Sequence, residues 1–328
     1  MRRRAFLAGI SASWLSPGGA SGQGRDRPRR IGALMNFREQ DQEAHARIAA
    51  FLNALQKLGW SAGDNLLVEI RWSGDDPDLS RKYAEELVKT NPEVIMASAS
   101  PNAAALKRLT QSIPIIFVNL IDPIGSGMVA SMAQPGGNLT GFTAFEYNLA
   151  GKWLELLKEF APGVTEVTVI EDPSYASGIG QFAAIQAFGA SSNLDFRVID
   201  PRDRSAIAAD MSALAGRPHV GIIVTGSTSA GAQRDLIIAL ALQYRVATIY
   251  SFPFFAQSGG LVAYGPDTIE GYSRAAEYID RVLRGARPQD LPVQAPNHYK
   301  LVVNMRTAKA IGLDVPPAVL ARADEIIE

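Results

Sequence analysis

Short runs that are apolar at every position alternate along this chain with longer stretches in which apolar residues recur every three or four positions. Residues 94–97 (VIMA) and 115–118 (IIFV) have the length and composition of strands buried on both faces, as in a parallel sheet. Residues 31–35, 167–170, 196–199, 220–224 and 247–250 also read as strands, and 66–72 alternates, with Val68 and Ile70 against Glu69 and Arg71. Between these runs, 41–58 carries Ala44, Ile48, Phe51, Leu52 and Leu55 at helical spacing before Gly59 stops it. Further helices are predicted over 79–90, 102–110, 128–133, 150–160, 178–191, 205–214 and 230–243. Strand and helix alternate up to residue 118, and the alternation restarts after Pro162-Gly163. That order builds parallel sheets with helices on both faces, here as two α/β units in tandem. No long Pro- or Ser-rich linker separates them, so the lobes are closely coupled. The remainder, with strands at 261–265 and 299–304 and helices at 268–283 and 307–311, is too small for a third domain. It completes the two sheets, which requires the chain to cross back between lobes.

In an open α/β sheet, ligands bind beyond the carboxyl ends of the strands, where loops enter helices whose first N–H groups lack partners. The run at 94–97 breaks into Ser98, Ala99, Ser100, Pro101 and Asn102; that at 115–118 breaks into Asn119, Asp122, Pro123, Gly125 and Gly127. Ser98, Ser100 and Asn102 either bind a carboxylate or serve as ordinary N-caps, although one Ser would suffice for capping. Asp122 either pairs with a ligand ammonium or makes an Asx turn before Pro123, and Gly125-Ser126-Gly127 either cradles an anion or satisfies turn geometry. Aromatic residues gather at strand exits, among them Phe37, Phe145, Tyr147, Tyr175, Tyr250, Phe252, Phe254 and Phe255. Such residues are either core or the apolar lining of a pocket with polar handles.

Composition narrows the chemistry. Of 328 residues, 47% are hydrophobic and 20% charged, and a net charge of -1 without a basic stripe speaks against nucleic acid. The absence of cysteine excludes disulfides, thiol nucleophiles and thiolate metal sites. The three histidines, His45, His219 and His298, have no metal-ligand spacing, so no metal site is expected. No Gly-x-Ser-x-Gly elbow, phosphate loop or G-x-G-x-x-G follows a strand, and no catalytic residue or cofactor is implied. At the N-terminus, Arg2-Arg3-Arg4, an apolar segment and the small residues up to Gly22 form a secretory leader over residues 1–22. Arg3-Arg4-Ala5-Phe6-Leu7 fits the twin-arginine export signal, and without cysteine no lipid can be attached to an N-terminal Cys. The expected location is the periplasm, free rather than tethered.

Several segments together resemble the substrate-binding proteins of ABC importers, in the branch that includes tryptophan- and tyrosine-binding periplasmic proteins. They are FLNALQKLGW (51–60), IIFVNLIDPIG (115–125), PGGNLTGF (135–142), GKWLELL (151–157), GLVAYGPD (260–267) and LVVNMRTAKAIGL (301–313). The resemblance implies a type I periplasmic-binding-protein fold: α/β, two Rossmann-like lobes with parallel sheets, a three-strand crossover hinge and a ligand cleft between the lobes. It places the crossovers near Thr143, Gly265 and Arg287, giving a first lobe of 28–143 plus 265–286 and a second of 144–264 plus 287–328. It implies a small polar or amphipathic solute, an amino acid among the candidates, with its carboxylate on Ser98, Ser100 and Asn102. Asn36, Phe37, Asn119 and Asp122 would contribute from the same lobe, and Tyr175, Thr225, Ser227, Tyr250 and Phe252 from the other. The first-strand exit, Asn36-Phe37-Arg38, departs from the small, Pro-rich exit of tryptophan-binding members. A monomer working with an inner-membrane ABC permease is the implied assembly, and lobe closure the implied mechanism. Two alternatives share the pattern: a ligand-sensing partner of a membrane receptor, and a two-lobed enzyme using Asp122, Glu146 and Asp172.

Overall fold

The computed structural model describes residues 27–144 and 147–328; the leader at 1–22, Phe145 and Glu146 lie outside them. The first part of the chain runs β1 (Arg29–Met35), α1 (Gln42–Lys57), β2 (Leu66–Trp72), α2 (Pro77–Lys89), β3 (Val94–Ser98), α3 (Ala99–Leu109), β4 (Ile115–Leu120) and β5 (Leu139–Thr143). The second runs α4 (Leu149–Phe160), β6 (Glu166–Ile170), α5 (Ala176–Gly189), β7 (Asp195–Ile199), α6 (Arg204–Ser212), β8 (Val220–Val224), α7 (Thr228–Ala232), α8 (Arg234–Gln243), β9 (Ala247–Tyr250) and α9 (Pro253–Gln257). After these come β10 (Val262–Pro266), α10 (Glu270–Leu283), β11 (Tyr299–Asn304), α11 (Met305–Ile311), α12 (Pro317–Leu320) and β12 (Glu325–Ile327).

Capping side chains set the helix starts. Asp41 accepts from Glu43 N at 2.9 Å to open α1, and Asp76, with Pro77 behind it, accepts from Asp78 N and Leu79 N to open α2. Gly59, at φ +92°, ends the first of these helical segments. The strands form two sheets. One is five-stranded and wholly parallel, in the order β2-β1-β3-β4-β5. The other is seven-stranded, in the order β12-β11-β10-β9-β8-β6-β7, parallel except where β10 meets β11. Every residue of β3 and β8 is buried, as expected of strands covered on both faces. β5 approaches β4 only because residue 141 is glycine: a Cβ there would stand 2.0 Å from the Phe117 carbonyl oxygen.

The chain passes between lobes three times. The first passage follows β5 and the second separates β10 from α10, which returns to pack Tyr272, Ala275 and Ile279 with Ile48, Phe51 and Leu55 of α1. The third lies later than the expected residue 287. The 3-10 turn Pro288–Asp290 and the residues after it stay on the first sheet. Thr140 Oγ1 donates to the Leu291 carbonyl at 2.6 Å, Tyr278 OH to that of Pro292 at 2.7 Å, and Gln294 bridges to Phe142. The chain therefore leaves the first lobe between residues 294 and 299. Residues 128–133, expected as a helix, are turns: the N–H groups of Met128 and Val129 both return to Pro123 O, and Gly127 at φ +66° interrupts any helical run. The helix expected over 230–243 is broken at Gln233 into α7 and α8.

Candidate functional site

The carboxyl ends of the two sheets face each other across a cleft of about 620 Å³, counting the open solvent at its mouth. The first lobe lines it with Asn36 and Phe37 after β1, Arg47 of α1, Ser100 at the start of α3, Asn119 near the end of β4 and Ile121 just after it. The second contributes Asp172, Tyr175 and Ser177 after β6, Ser227 after β8, and Phe252 and Phe254 after β9; Thr268 comes from the second passage between lobes.

The start of α3 lacks a side-chain cap. Its N-cap residue is Ser98, yet Ser98 makes no capping bond. The hydroxyl is diverted: Ser98 Oγ donates to Asn36 Oδ1 and is also hydrogen-bonded to the Tyr272 hydroxyl. No side chain therefore caps α3, and the positive end of the helix faces the cleft. Ser100 Oγ accepts from Ile121 N at 3.2 Å, which leaves its own proton for an acceptor in the cleft. Ala99 holds φ +66°, a left-handed conformation that costs an L-residue roughly 1–2 kcal/mol, and so turns the chain sharply from β3 into α3.

The second lobe brings acids. Asp172 is buried, and its carboxylate is fixed by Ser174 N at 3.0 Å and Ser229 Oγ at 2.7 Å, with Arg202 Nε at 3.6 Å. Burial, then the Asp172 and Asp200 charges, push the neighbouring Glu171 carboxyl up. Asp75, reaching from the loop after β2, is pushed up to about 7, by burial first and then by Asp172 and Asp76, against the pull of Arg202. Burial and the Asp172 and Asp75 charges likewise raise the Tyr175 phenol and keep it protonated. Close packing here depends on Gly178, where a Cβ would lie 2.0 Å from the Asp172 carbonyl oxygen.

Arg47 is the cation of the first lobe's wall. It is 3% exposed, donates to Glu43 Oε1 at 2.9 Å, and lies 4.5 Å from the Phe37 ring centroid. Burial works against its charge, but Tyr272 and Glu43 more than offset that, and its pKa stands above the ordinary value.

Of the twelve residues expected at the site, Asn36, Phe37, Ser100, Asn119, Tyr175, Ser227 and Phe252 line the cleft. The other five do not. Ser98 sits one layer behind, orienting Asn36. Asn102 is buried and spent on structure, its Oδ1 accepting from Ser73 and Ser80 and its Nδ2 donating to Leu34 O. Asp122 makes the Asx turn: Oδ1 accepts from Gly125 N at 2.7 Å and Oδ2 from Tyr147 OH at 2.9 Å. Thr225 Oγ1 donates to Ile170 O at 3.0 Å, and Tyr250 is buried in a stack on Phe255. Gly125-Ser126-Gly127 is closed on itself, with Ser126 Oγ donating to Asp122 O at 2.6 Å. Phe254 joins the cleft lining from the strand-exit aromatics, while Arg47 and Thr268 were not expected at the site and Asp172 was offered only to the enzyme reading. Arg47 carried a signal: it falls on the same helical face as Ala44, Ile48, Phe51 and Leu55, where a charge has to be paired.

A family model described as ABC transporter substrate binding protein matches residues 35–327. The chain is 26% identical over 263 residues to a tyrosine-binding protein of Clostridioides difficile, covering 80% of this chain and 75% of that one. Its fold is similar to that of a conserved domain protein from Vibrio cholerae, with TM-score 0.85, 24% identity, and 92% and 100% of the two chains covered. It is similar also to the ABC domain from Streptococcus pneumonia solved in complex with L-Trp, with TM-score 0.83, 22% identity and the same coverage.

Proposed function

The chain belongs to the ABC transporter substrate binding protein family, and from that premise we propose that it captures an amino acid with an aromatic side chain, held as a zwitterion between the lobes. One observation carries this reading: the cleft sets an uncapped helix start in one lobe against a fixed carboxylate in the other, with rings between them. The ligand carboxylate meets the first turn of α3, with Ser100 and Asn36 beside it. The ligand ammonium meets Asp172, whose geometry Ser174 and Ser229 hold. Phe37, Phe252 and Tyr175 supply the apolar walls, where an aromatic side chain gains both buried area and ring contacts. The tyrosine-binding relative and the relative solved with L-Trp support the aromatic assignment.

Binding proceeds by closure. A solute on one lobe gains the other lobe's groups only when the cleft shuts, so it shifts the open–closed equilibrium by its differential affinity. The closed form is then what a permease reads, and no bond in the solute is made or broken. We place the protein in the periplasm as a monomer exported by the twin-arginine route, a reading supported by Arg3-Arg4-Ala5-Phe6-Leu7.

The test is calorimetric titration of the wild type and Asp172→Asn with L-tryptophan, L-tyrosine and their deaminated analogues. Loss of a charge-assisted contact should weaken the amino acids by roughly 10- to 100-fold and leave the analogues within about twofold. Equal weakening of amino acid and analogue would remove Asp172 from the ammonium site.

A further inference from the structure

A guanidinium is built into the aromatic wall of the cleft. Arg47 lies on the face of α1 that it shares with Ala44, Ile48 and Phe51, so its charge sits where an aliphatic side chain would ordinarily pack. Three rings surround it: Phe37, whose centroid is 4.5 Å from the guanidinium carbon, and Phe254 and Tyr272, each at 5.6 Å. Two of them, Phe37 and Phe254, line the cleft, and they meet edge-on with centroids 6.2 Å apart at 85°. The charged head is fixed from behind. Glu43 Oε1 accepts from Arg47 Nε and from Thr268 Oγ1, both at 2.9 Å, and Tyr272 is wholly buried. A buried ion pair seldom contributes more to stability than apolar side chains of the same volume, so packing alone does not account for Arg47.

We infer that Arg47 is a specificity determinant: its cation, set against Phe37 and Phe254, makes the cleft select rings rich in π electrons, such as indole and phenol, over electron-poor or saturated rings of the same shape. A cation at an aromatic face draws π density toward itself. Phe37 therefore turns a more electropositive surface to a ring that meets its other side, and an electron-rich ring gains most there. The guanidinium attracts such a ring directly where it reaches the cleft itself. Water is largely excluded around Arg47, so neither attraction is strongly screened. This selectivity rests on the ligand being an aromatic amino acid, and it adds an order among rings that size and apolar area do not produce.

L-Tryptophan and its mono-, di- and tetrafluoro derivatives, fluorinated on the benzene half of the indole, grade π density at nearly constant shape. Titrated into the wild type by calorimetry, they should bind progressively more weakly, by roughly tenfold from the parent to the tetrafluoro compound. Apolar burial alone would order them the other way, because fluorine enlarges the buried surface. Arg47→Met leaves Glu43 without its partner, so the neutral variant carries Glu43→Gln as well, which keeps an acceptor for Thr268. Its series should be flat or reversed. Arg47→Lys retains a cation and should keep the falling order over a smaller range. Lost packing would weaken every member alike and leave the order untouched, so the slope separates selection from structure. Should the neutral variant not fold, the wild-type series alone still decides. A wild-type series that is flat or rises with fluorine, or a neutral variant with the wild-type slope, would overturn the role of Arg47 and leave the aromatic ligand in place. Failure of tryptophan, tyrosine and every derivative to bind would overturn the aromatic assignment and this selectivity with it.

Discussion

Asp75→Asn should stabilise the protein above neutral pH and leave it unchanged near pH 4. Asp75 sits half-buried in the loop between β2 and α2, and its pKa is pushed from 3.8 to about 7. Burial is the main cause, followed by the negative charges of Asp172 across the cleft and of Asp76, while Arg202 acts in the opposite sense. A carboxyl with a raised pKa holds its proton more tightly in the folded chain than in the unfolded one. The resulting stabilisation is complete below about pH 4 and is lost as pH climbs through about 7. At about 1.36 kcal/mol per decade of proton affinity, the loss is at most about 4 kcal/mol. Screening by the solvent that Asp75 still contacts brings it to roughly 2 kcal/mol, or roughly 3 °C in Tm for a chain of this size. The assay is thermal unfolding of wild type and Asp75→Asn from pH 4 to 8.5. The difference should be near zero at the acid end and grow to roughly 3 °C in favour of Asn by pH 8. A difference that stays constant with pH, or a wild type that gains on the variant as pH rises, would refute the reasoning.

Other substitutions separate binding from folding. Asn102→Ala should cost roughly 2–3 kcal/mol of stability, measured by urea unfolding, because it strands the buried Ser80 hydroxyl of α2 and the Leu34 carbonyl of β1. It should leave ligand affinity within about twofold, and a selective loss of binding would return Asn102 to the site. Phe252→Ala should do the reverse, weakening an aromatic ligand by about tenfold in calorimetry. Gly178→Ala forces its new Cβ against the Asp172 carbonyl and should cost roughly 1–3 kcal/mol, displacing Asp172 and abolishing selectivity for the ligand ammonium. Ala99→Gly relieves left-handed strain against a smaller entropic cost and should stabilise by roughly 0.5–1 kcal/mol; destabilisation would show that the strain is absent.

The alternation of buried runs and helical stripes made the two sheets legible, because β3, β4, β6, β8 and β9 are covered on both faces and carry that in their composition. Residues 288–294 could not be assigned to a lobe from sequence. They have no periodicity, and what binds them is a set of hydrogen bonds to β5 and α10 from far along the chain. The strand exits marked the cleft, but not which side chains at each exit point into it. Ser98 and Ser100 are chemically alike and two residues apart, yet Ser98 is the last residue of β3, turned toward Tyr272, while Ser100 lies beyond the kink at Ala99. Asp122 and Thr225 looked equally suitable as ligand groups, and each instead satisfies a backbone partner close by. Arg47 was not legible as a site residue because it lies inside α1, whereas ligand groups are expected at the strand exits.

Calorimetric titration of the purified protein with L-tryptophan and L-tyrosine, beside L-leucine and a neutral sugar, tests the central claim most directly. The account predicts one-to-one binding of an aromatic amino acid, a negative heat-capacity change from ring burial, and at least roughly tenfold weaker binding of leucine. Binding of the sugar with no response to either aromatic amino acid would contradict it.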